Sequence, residues 1–281
     1  MDAVNRTRVR WILIGWTFLI SAIAYLDRVN ISIAGKAIAK EFQLTDIQLG
    51  YVFSAFVLGY ALFQAPGGRM ADRFGPRRTL TIAVVWWAIF TTLVVMVPST
   101  LASSLILLIG IRFALGIGEA VVYPSSNRLV AEWIPSRERG LANGLIFAGV
   151  GAGAGVTPPL IVYVMETYGW HWSFVVSAAI GLAAGAVWWF IARDKPAEHP
   201  WVNAGERELI EAGLPHAKKS ESLGVPWGRI LASRELWMMT LSYFAYGYSA
   251  YIFFTWFFIY LNSVRGLDLK AWLARGLDLI H

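Results

Sequence analysis

GRMADRFGPRR, residues 68–78, packs four arginines into eleven positions, yet it joins two runs, 47–66 and 79–97, that carry no charge. A membrane span needs about 20 apolar residues, so each flanking run is long enough to cross a bilayer. A basic, glycine-punctuated stretch between two such runs reads as a turn on one aqueous face. Gly68 and Gly75 permit tight turns, Asp72 caps the neighbouring helix or engages arginines, and Arg73, Arg77 and Arg78 stay on that face.

Outward from this loop the pattern repeats. Apolar runs at 11–34, 47–66, 79–97, 101–127, 140–165, 172–192 and 236–261 make seven candidate spans. Only 15% of the residues are charged, against about 25% in a soluble domain, too few to cover a water-facing surface. The first run is too long for a signal-peptide core and lacks a small-residue cleavage site after it, so it is read as a retained span. With the N-terminus inside, the inner segments hold seventeen Lys and Arg, whereas the outer loops before the seventh span hold only Lys36 and Lys40. The positive-inside rule then sets the N-terminus and the long polar stretch 193–235 in the cytoplasm of an inner-membrane protein. The net charge of +6 is therefore an orientation signal, and a nucleic-acid partner is not expected. A seven-helix receptor or retinal protein is excluded by the inside N-terminus and by the absence of a lysine in the seventh span.

No cysteine is present, which removes disulfides, thiolate metal sites and cysteine nucleophiles. The four histidines, His171, His199, His216 and His281, lie in connecting or terminal segments with no i, i+4 pairing. With no nucleophile–base pair and no nucleotide loop, neither an enzyme nor a cofactor or metal is expected.

The strongly ionisable residues inside the spans are Asp27 and Arg28 on the first and Arg112 and Glu119 on the fourth. Each costs about 2.5–3.5 kcal/mol at mid-bilayer depth, much for a purely structural staple, since buried pairs return little net stability. Adjacent helical residues point about 100° apart and do not face each other, so Asp27 and Arg28 must find partners on another helix. Arg112 and Glu119 lie two turns apart on nearly one face, with Gly116 leaving room between them. The economical arrangement sets the first and fourth spans across a polar cavity, each offering one acid and one base. An anion that takes the arginine as its partner leaves the carboxyl less compensated, and the carboxyl takes up a proton.

The loop 68–78 resembles the cytoplasmic loop motif of the major facilitator superfamily: glycine, three residues, Asp-Arg, any residue, glycine, then basic residues. Pro76 departs from it, standing where a basic residue is usual. YLDRVNIS, RFALGIGEAVVYPSS, EWIPSRERGLANG and DKPAEHPWVNAGERELI resemble the anion:cation symporter family within that superfamily. The resemblance implies proton-coupled uptake of a small organic anion, a sugar acid such as glucarate, galactonate or a hexuronate. On the matching positions it implies that Asp27 and Glu119 handle protons and that Arg28 and Arg112 anchor substrate. Tyr25 and Tyr60 would be hydroxyl donors, with Gln64 beside Tyr60. Gly68, Asp72, Arg73, Gly75, Arg77 and Arg78 form the gating loop. In GVGAGAGVTPP, 149–159, glycines four apart let helix backbones approach, Gly149 with Gly153 and Gly151 with Gly155.

The expected fold is all-α and polytopic. An N-terminal six-helix bundle, 1–193, is built as two inverted triplets of helices. A cytoplasmic linker follows over 194–234, in which Asn203 caps a short helix to about Ala212. A seventh transmembrane helix and a tail occupy 235–281. A complete facilitator has about twelve spans, so the chain reads as C-terminally truncated, its tail repeating RGLDL at 265–269 and 275–279. Two readings of different class follow. The chain is, or derives from, a proton-coupled symporter whose partners are the anion, protons and lipid; or it is a non-transporting half-transporter, a binding or sensing module that is inactive alone or needs a second chain to supply the C-terminal half.

Overall fold

Six helices in the computed structural model are long and apolar enough to cross a membrane. They are Val9–Glu41 (α1), Asp46–Phe74 (α2), Pro76–Met96 (α3), the broken span Ser104–Trp133, Arg139–Tyr168 (α6) and Trp170–Ile191 (α7). The structure describes residues 6–215 and 227–266, and every regular element among them is helical. The fourth span divides into α4 (Ser104–Glu119) and α5 (Val122–Trp133). Its break has a local cause. Pro124, one turn beyond, has no N–H to give the Ala120 carbonyl, and its ring would clash there.

The helices pair in a pattern that survives exchanging the first triplet with the second. α1 packs chiefly on α6, and its counterpart α4 packs chiefly on α2; α3 packs on α7; α3 touches α4 as α7 touches α1. This is the signature of two three-helix repeats. Glycine sets both principal contacts. A Cβ on Gly149 or Gly153 would overlap the Phe18 or Ala22 carbonyl of α1, and one on Gly59 or Gly116 would overlap the Phe113 or Phe56 carbonyl across the α2–α4 seam. In lipid, where apolar burial gives no drive, such close backbone packing is a main source of helix association. Two expectations are corrected here. Gly151 and Gly155 face open space, so only one of the two glycine pairs of α6 makes a close contact. Gly116 lets the α2 backbone in and does not make room between Arg112 and Glu119.

The end of the bundle that carries the basic loop is tied by two carboxylates. Gly75, at φ +81, turns the chain between α2 and α3, and Asp194 fills the space a side chain there would need. The Asp194 carboxylate accepts from the Arg77 amide at 2.9 Å, so Asp194 caps α3. Asp72 instead pairs with Arg128 of α5 at 3.7 Å. Gly68 lies within α2, not in a turn. The Arg77 guanidinium donates to the Trp189 carbonyl at 2.8 and 3.0 Å, closing α3 onto α7. The tryptophans Trp87, Trp133 and Trp188 are core residues.

The second carboxylate comes from Ala204–Gly213 (α8), whose N-cap is Asn203. Glu206, fully buried, reaches back across the sequence to the start of α1. It accepts from the Thr7 hydroxyl at 2.6 Å, from the Val9 and Arg10 amides at 3.0 and 3.1 Å, and from the Arg10 guanidinium at 3.1 Å. Arg10 also pairs with Glu138, between α5 and α6, at 3.1 Å, and Gly213 accepts from the Ser136 amide at 3.0 Å. Residues 194–214 are thus fastened to the bundle, and the first compact unit runs Met1–Leu214.

The second unit, Pro215–His281, contains Trp227–Ala232 (α9), Arg234–Ile252 (α10), a π-helical turn Phe253–Phe257 and Phe258–Ser263 (α11). The seventh expected span, 236–261, is thus helical but interrupted, and is not among the six of spanning length and apolarity. Beyond Gly266 the repeated RGLDL lies outside the described residues.

Gly59→Ala or Gly116→Ala is expected to abolish the monodisperse peak on fluorescence-detected size exclusion, while Gly151→Ala and Gly155→Ala leave it intact. Glu206→Ala removes one partner of a buried ion pair and should cost about 3 kcal/mol at neutral pH. Burial pushes the Glu206 carboxyl up, but the Thr7 hydroxyl, the Arg10 and Val9 amides and the Arg10 guanidinium outweigh it and hold it below the ordinary carboxylate range. Its stabilisation is therefore present above the unfolded value of about 4.3 and lost as pH falls through the lower folded value. The melting-temperature gap between the unmodified chain and Glu206→Gln should stay constant above about pH 5 and close as pH falls below about 4.

Candidate functional site

From Leu26 to Ala34 every residue of α1 is buried, so the polar members of this stretch must be met by neighbouring helices. They diverge as helical geometry requires. Asp27 turns to α3, where the Thr91 hydroxyl donates to Oδ2 at 3.5 Å. Arg28 turns to α4, its Nε donating to Glu119 Oε2 at 2.7 Å, and both side chains are nearly sealed from solvent. Asn30 turns to α7, donating to Ser177 at 3.2 Å and accepting from Ser173 at 2.8 Å. One helix thus addresses three others in a single turn.

Aromatic rings complete the Arg28 setting. Its guanidinium carbon lies over the rings of Tyr60 at 4.3 Å, Tyr25 at 4.8 Å and Phe56 at 5.4 Å. Arg112, also buried, lies over Phe56 at 4.7 Å. Asp27 is within electrostatic range of both Glu119 and Arg112. The four intramembrane charges therefore form one cluster, with Arg28–Glu119 its direct ion pair. Asp27 Oδ1 and Glu119 Oε1 have no hydrogen-bond partner among the described residues. Leaving such an acceptor buried and unmet costs about 1–3 kcal/mol or more, which a stapling role alone does not explain.

The α4–α5 break falls directly after Glu119, and Trp86 supports it, its indole donating to the Ala114 carbonyl at 2.7 Å while its ring occupies the space beside Gly118. Beyond the break Tyr123 returns towards α1, its hydroxyl 3.0 Å from Ser21 and its ring stacked on Phe147 at 5.1 Å.

Of the residues singled out from sequence, Asp27, Arg28, Arg112, Glu119, Tyr25 and Tyr60 come together. Gln64, half-buried one turn beyond Tyr60, makes no bond to them. The loop residues Gly68, Asp72, Arg73, Gly75, Arg77 and Arg78 sit at the basic end, away from the cluster; Arg73 lies over its neighbour Phe74 at 5.4 Å. Sequence reading missed Phe56, Thr91 and Tyr123. Tyr123 carried a usable signal, since it directly precedes the helix-breaking Pro124; Phe56 and Thr91 carried none, being one more aromatic and one more hydroxyl in apolar runs.

Residues 17–277 match the Major Facilitator Superfamily model. The chain is 38% identical over 268 residues to the probable sulfoacetate transporter SauU of Cupriavidus necator, covering 95% of this chain and 60% of that protein. It is 32% identical over 276 residues to the probable galactarate/D-glucarate transporter GudP of Bacillus subtilis, with 95% and 60% covered. It is likewise 32% identical over 280 residues to the D-galactonate transporter of Escherichia coli, with 96% and 64% covered. The chain thus spans about 60% of the length of these curated relatives. Among solved structures, a bacterial homolog of the human lysosomal transporter Spinster, inward-facing and unoccupied, superposes with a TM-score of 0.71 at 21% identity, over 94% of this chain and 58% of that one. The proton:xylose symporter XylE gives 0.56 at 19% identity, over 71% and 48%. At those identities the likeness is one of fold. The chain therefore belongs to the Major Facilitator Superfamily, a multi-pass membrane protein on the fold those structures share.

Proposed function

We propose that the chain carries the anion- and proton-handling bundle of a transporter that moves a small organic anion with protons by alternating access, with its N-terminus in the cytoplasm. The observation that carries this reading is the sealed Arg28–Glu119 pair lying beside Asp27 and Arg112. A buried pair costs about as much to desolvate as it returns, so it is readily exchanged for another anion. Relatives named for sulfoacetate, galactarate, glucarate and galactonate support an organic anion as that partner.

In this mechanism the incoming anion takes the Arg28 guanidinium as its partner, with Arg112 as the second cation. Displaced from Arg28, Glu119 is a buried carboxylate with less compensation, and it takes up a proton at Oε1 or Oε2. Asp27, one oxygen of which has no hydrogen-bond partner among the described residues, is the second proton carrier. Tyr25 and Tyr60, already facing Arg28, donate hydroxyls to the anion, and Gln64 lies one turn further along α2. The basic-end contacts of Asp72 with Arg128 and Asp194 with Arg77 hold that end of the bundle together. The cluster is assigned coupling rather than pure stability, because two of its carboxylate oxygens meet no hydrogen-bond partner among the described residues. The organic-anion assignment therefore rests on the site and the relatives together.

Two outcomes test this reading. In proteoliposomes with sulfoacetate, D-glucarate and D-galactonate as the panel, Asp27→Asn should abolish pH-driven uptake while binding persists; uptake that still follows the pH gradient would remove Asp27 from coupling. Glu119→Met alone, leaving Arg28 buried without its counter-charge, should cost about 3–5 kcal/mol in unfolding, and the double change Arg28→Met with Glu119→Met should recover much of it while losing all anion binding.

A further inference from the structure

We infer that Phe56 is a positioning residue of the anion site, its ring holding the Arg28 and Arg112 guanidiniums in register with each other. This rests on the anion-binding reading above and extends it to a residue of α2 that carries no charge and no polar side chain.

Phe56 is buried, 2% exposed, and by composition it is one more core aromatic. Its neighbours say otherwise. The Arg112 guanidinium carbon lies over its ring at 4.7 Å and that of Arg28 at 5.4 Å. Both arginines of the cluster therefore share this one ring, and the same ring stacks on Tyr60 at 6.0 Å and 20°. An aromatic face presents negative charge to a cation, and the attraction grows when both are desolvated. Two cations at this depth repel each other more strongly than in water, because the surroundings screen them less. A ring within reach of both offsets part of that repulsion without adding a net charge, and so without competing with the substrate for the arginines as a third carboxylate would.

The backbone fixes where this ring stands. The Phe56 carbonyl sits against Gly116, where no side chain would fit. Gly116 lies on α4 between Arg112, four residues before it, and Glu119, three residues after. The contact that seats α2 on α4 thus also registers the ring against both functional residues of α4. Tyr60, one turn on, extends the same aromatic wall to Arg28. A leucine would fill a similar volume but would not present a negative face.

The test replaces Phe56 in the full chain by fluorinated phenylalanines, introduced by nonsense suppression. These keep the shape and apolarity of the ring while draining charge from its face. Binding and uptake are measured with the panel anion that the unmodified chain binds. The expected result is a graded loss, the KM rising about threefold with trifluorophenylalanine and about tenfold with pentafluorophenylalanine, with the maximal rate held, the chain still folded and Phe56→Tyr near the unmodified value. A KM that stays within about twofold across the series, while Arg28→Lys or Arg112→Lys raises it, would overturn the inference and leave Phe56 as core packing. If the unmodified chain binds none of the panel, the functional reading above fails, and Phe56 is then judged by a double-mutant cycle on melting temperature. A smaller loss from Phe56→Leu in an Arg112→Met background than in the unmodified one supports the contact; equal losses overturn it.

Discussion

A single ion pair in a low-dielectric interior, Arg28 on α1 with Glu119 on α4 at 2.7 Å, sets the terms for the rest of the bundle. Charges buried in this way are tolerated only where their partners are held in place. The helix seams hold them. α1 rests on α6 through Gly149 and Gly153, and α4 rests on α2 through Gly59 and Gly116. These are corresponding seams of the two triplets, so each charged helix is seated by the same device. α1 and α4 then meet through their side chains, Arg28 with Glu119.

The second consequence is directional. Three polar positions within one turn of α1, at 27, 28 and 30, engage α3, α4 and α7 respectively. Exchanging the partner of Arg28 therefore acts on a helix that is already bonded to two others. At the far basic end the same helix begins under the Glu206 carboxylate, and α3 begins under that of Asp194. Both carboxylates come from the stretch that follows α7. That stretch serves as a strap for the bundle before it serves as a connection to anything beyond.

Much of this was legible in the sequence, and the limits have physical causes. Six of the seven expected spans were legible because apolar length is a local property, and the divergence of Asp27 and Arg28 followed from the helical repeat alone. Their partners were harder. Glu119 could be matched to Arg28 because charges are rare at that depth, whereas Thr91 and Phe56 are common residue types with nothing to mark them. Glycines were read for turns and for room, yet Gly68 is helical and Gly116 admits a backbone; the residue type reports that space is needed and not what fills it. Asn203 was legible as a cap because capping spans three residues. The target of Glu206 lies 196 residues away at Arg10, and no local pattern points there. The break after Glu119 was within reach, since Pro124 dictates it, but an apolar run hides a broken helix as readily as a straight one.

The claim on which the mechanism turns is that an anion and Glu119 exchange places on Arg28, and that the displaced carboxyl takes up a proton. Proton uptake on binding measures this directly. A weakly buffered detergent solution of the chain would be titrated with D-glucarate, D-galactonate or sulfoacetate while pH and heat are followed together. Exchange at Arg28 requires about one proton or more to leave solution for each anion bound, and requires Glu119→Gln to lower that uptake by about one proton. Saturable binding with no change in bulk proton, equal in the unmodified chain and in Glu119→Gln, would contradict it.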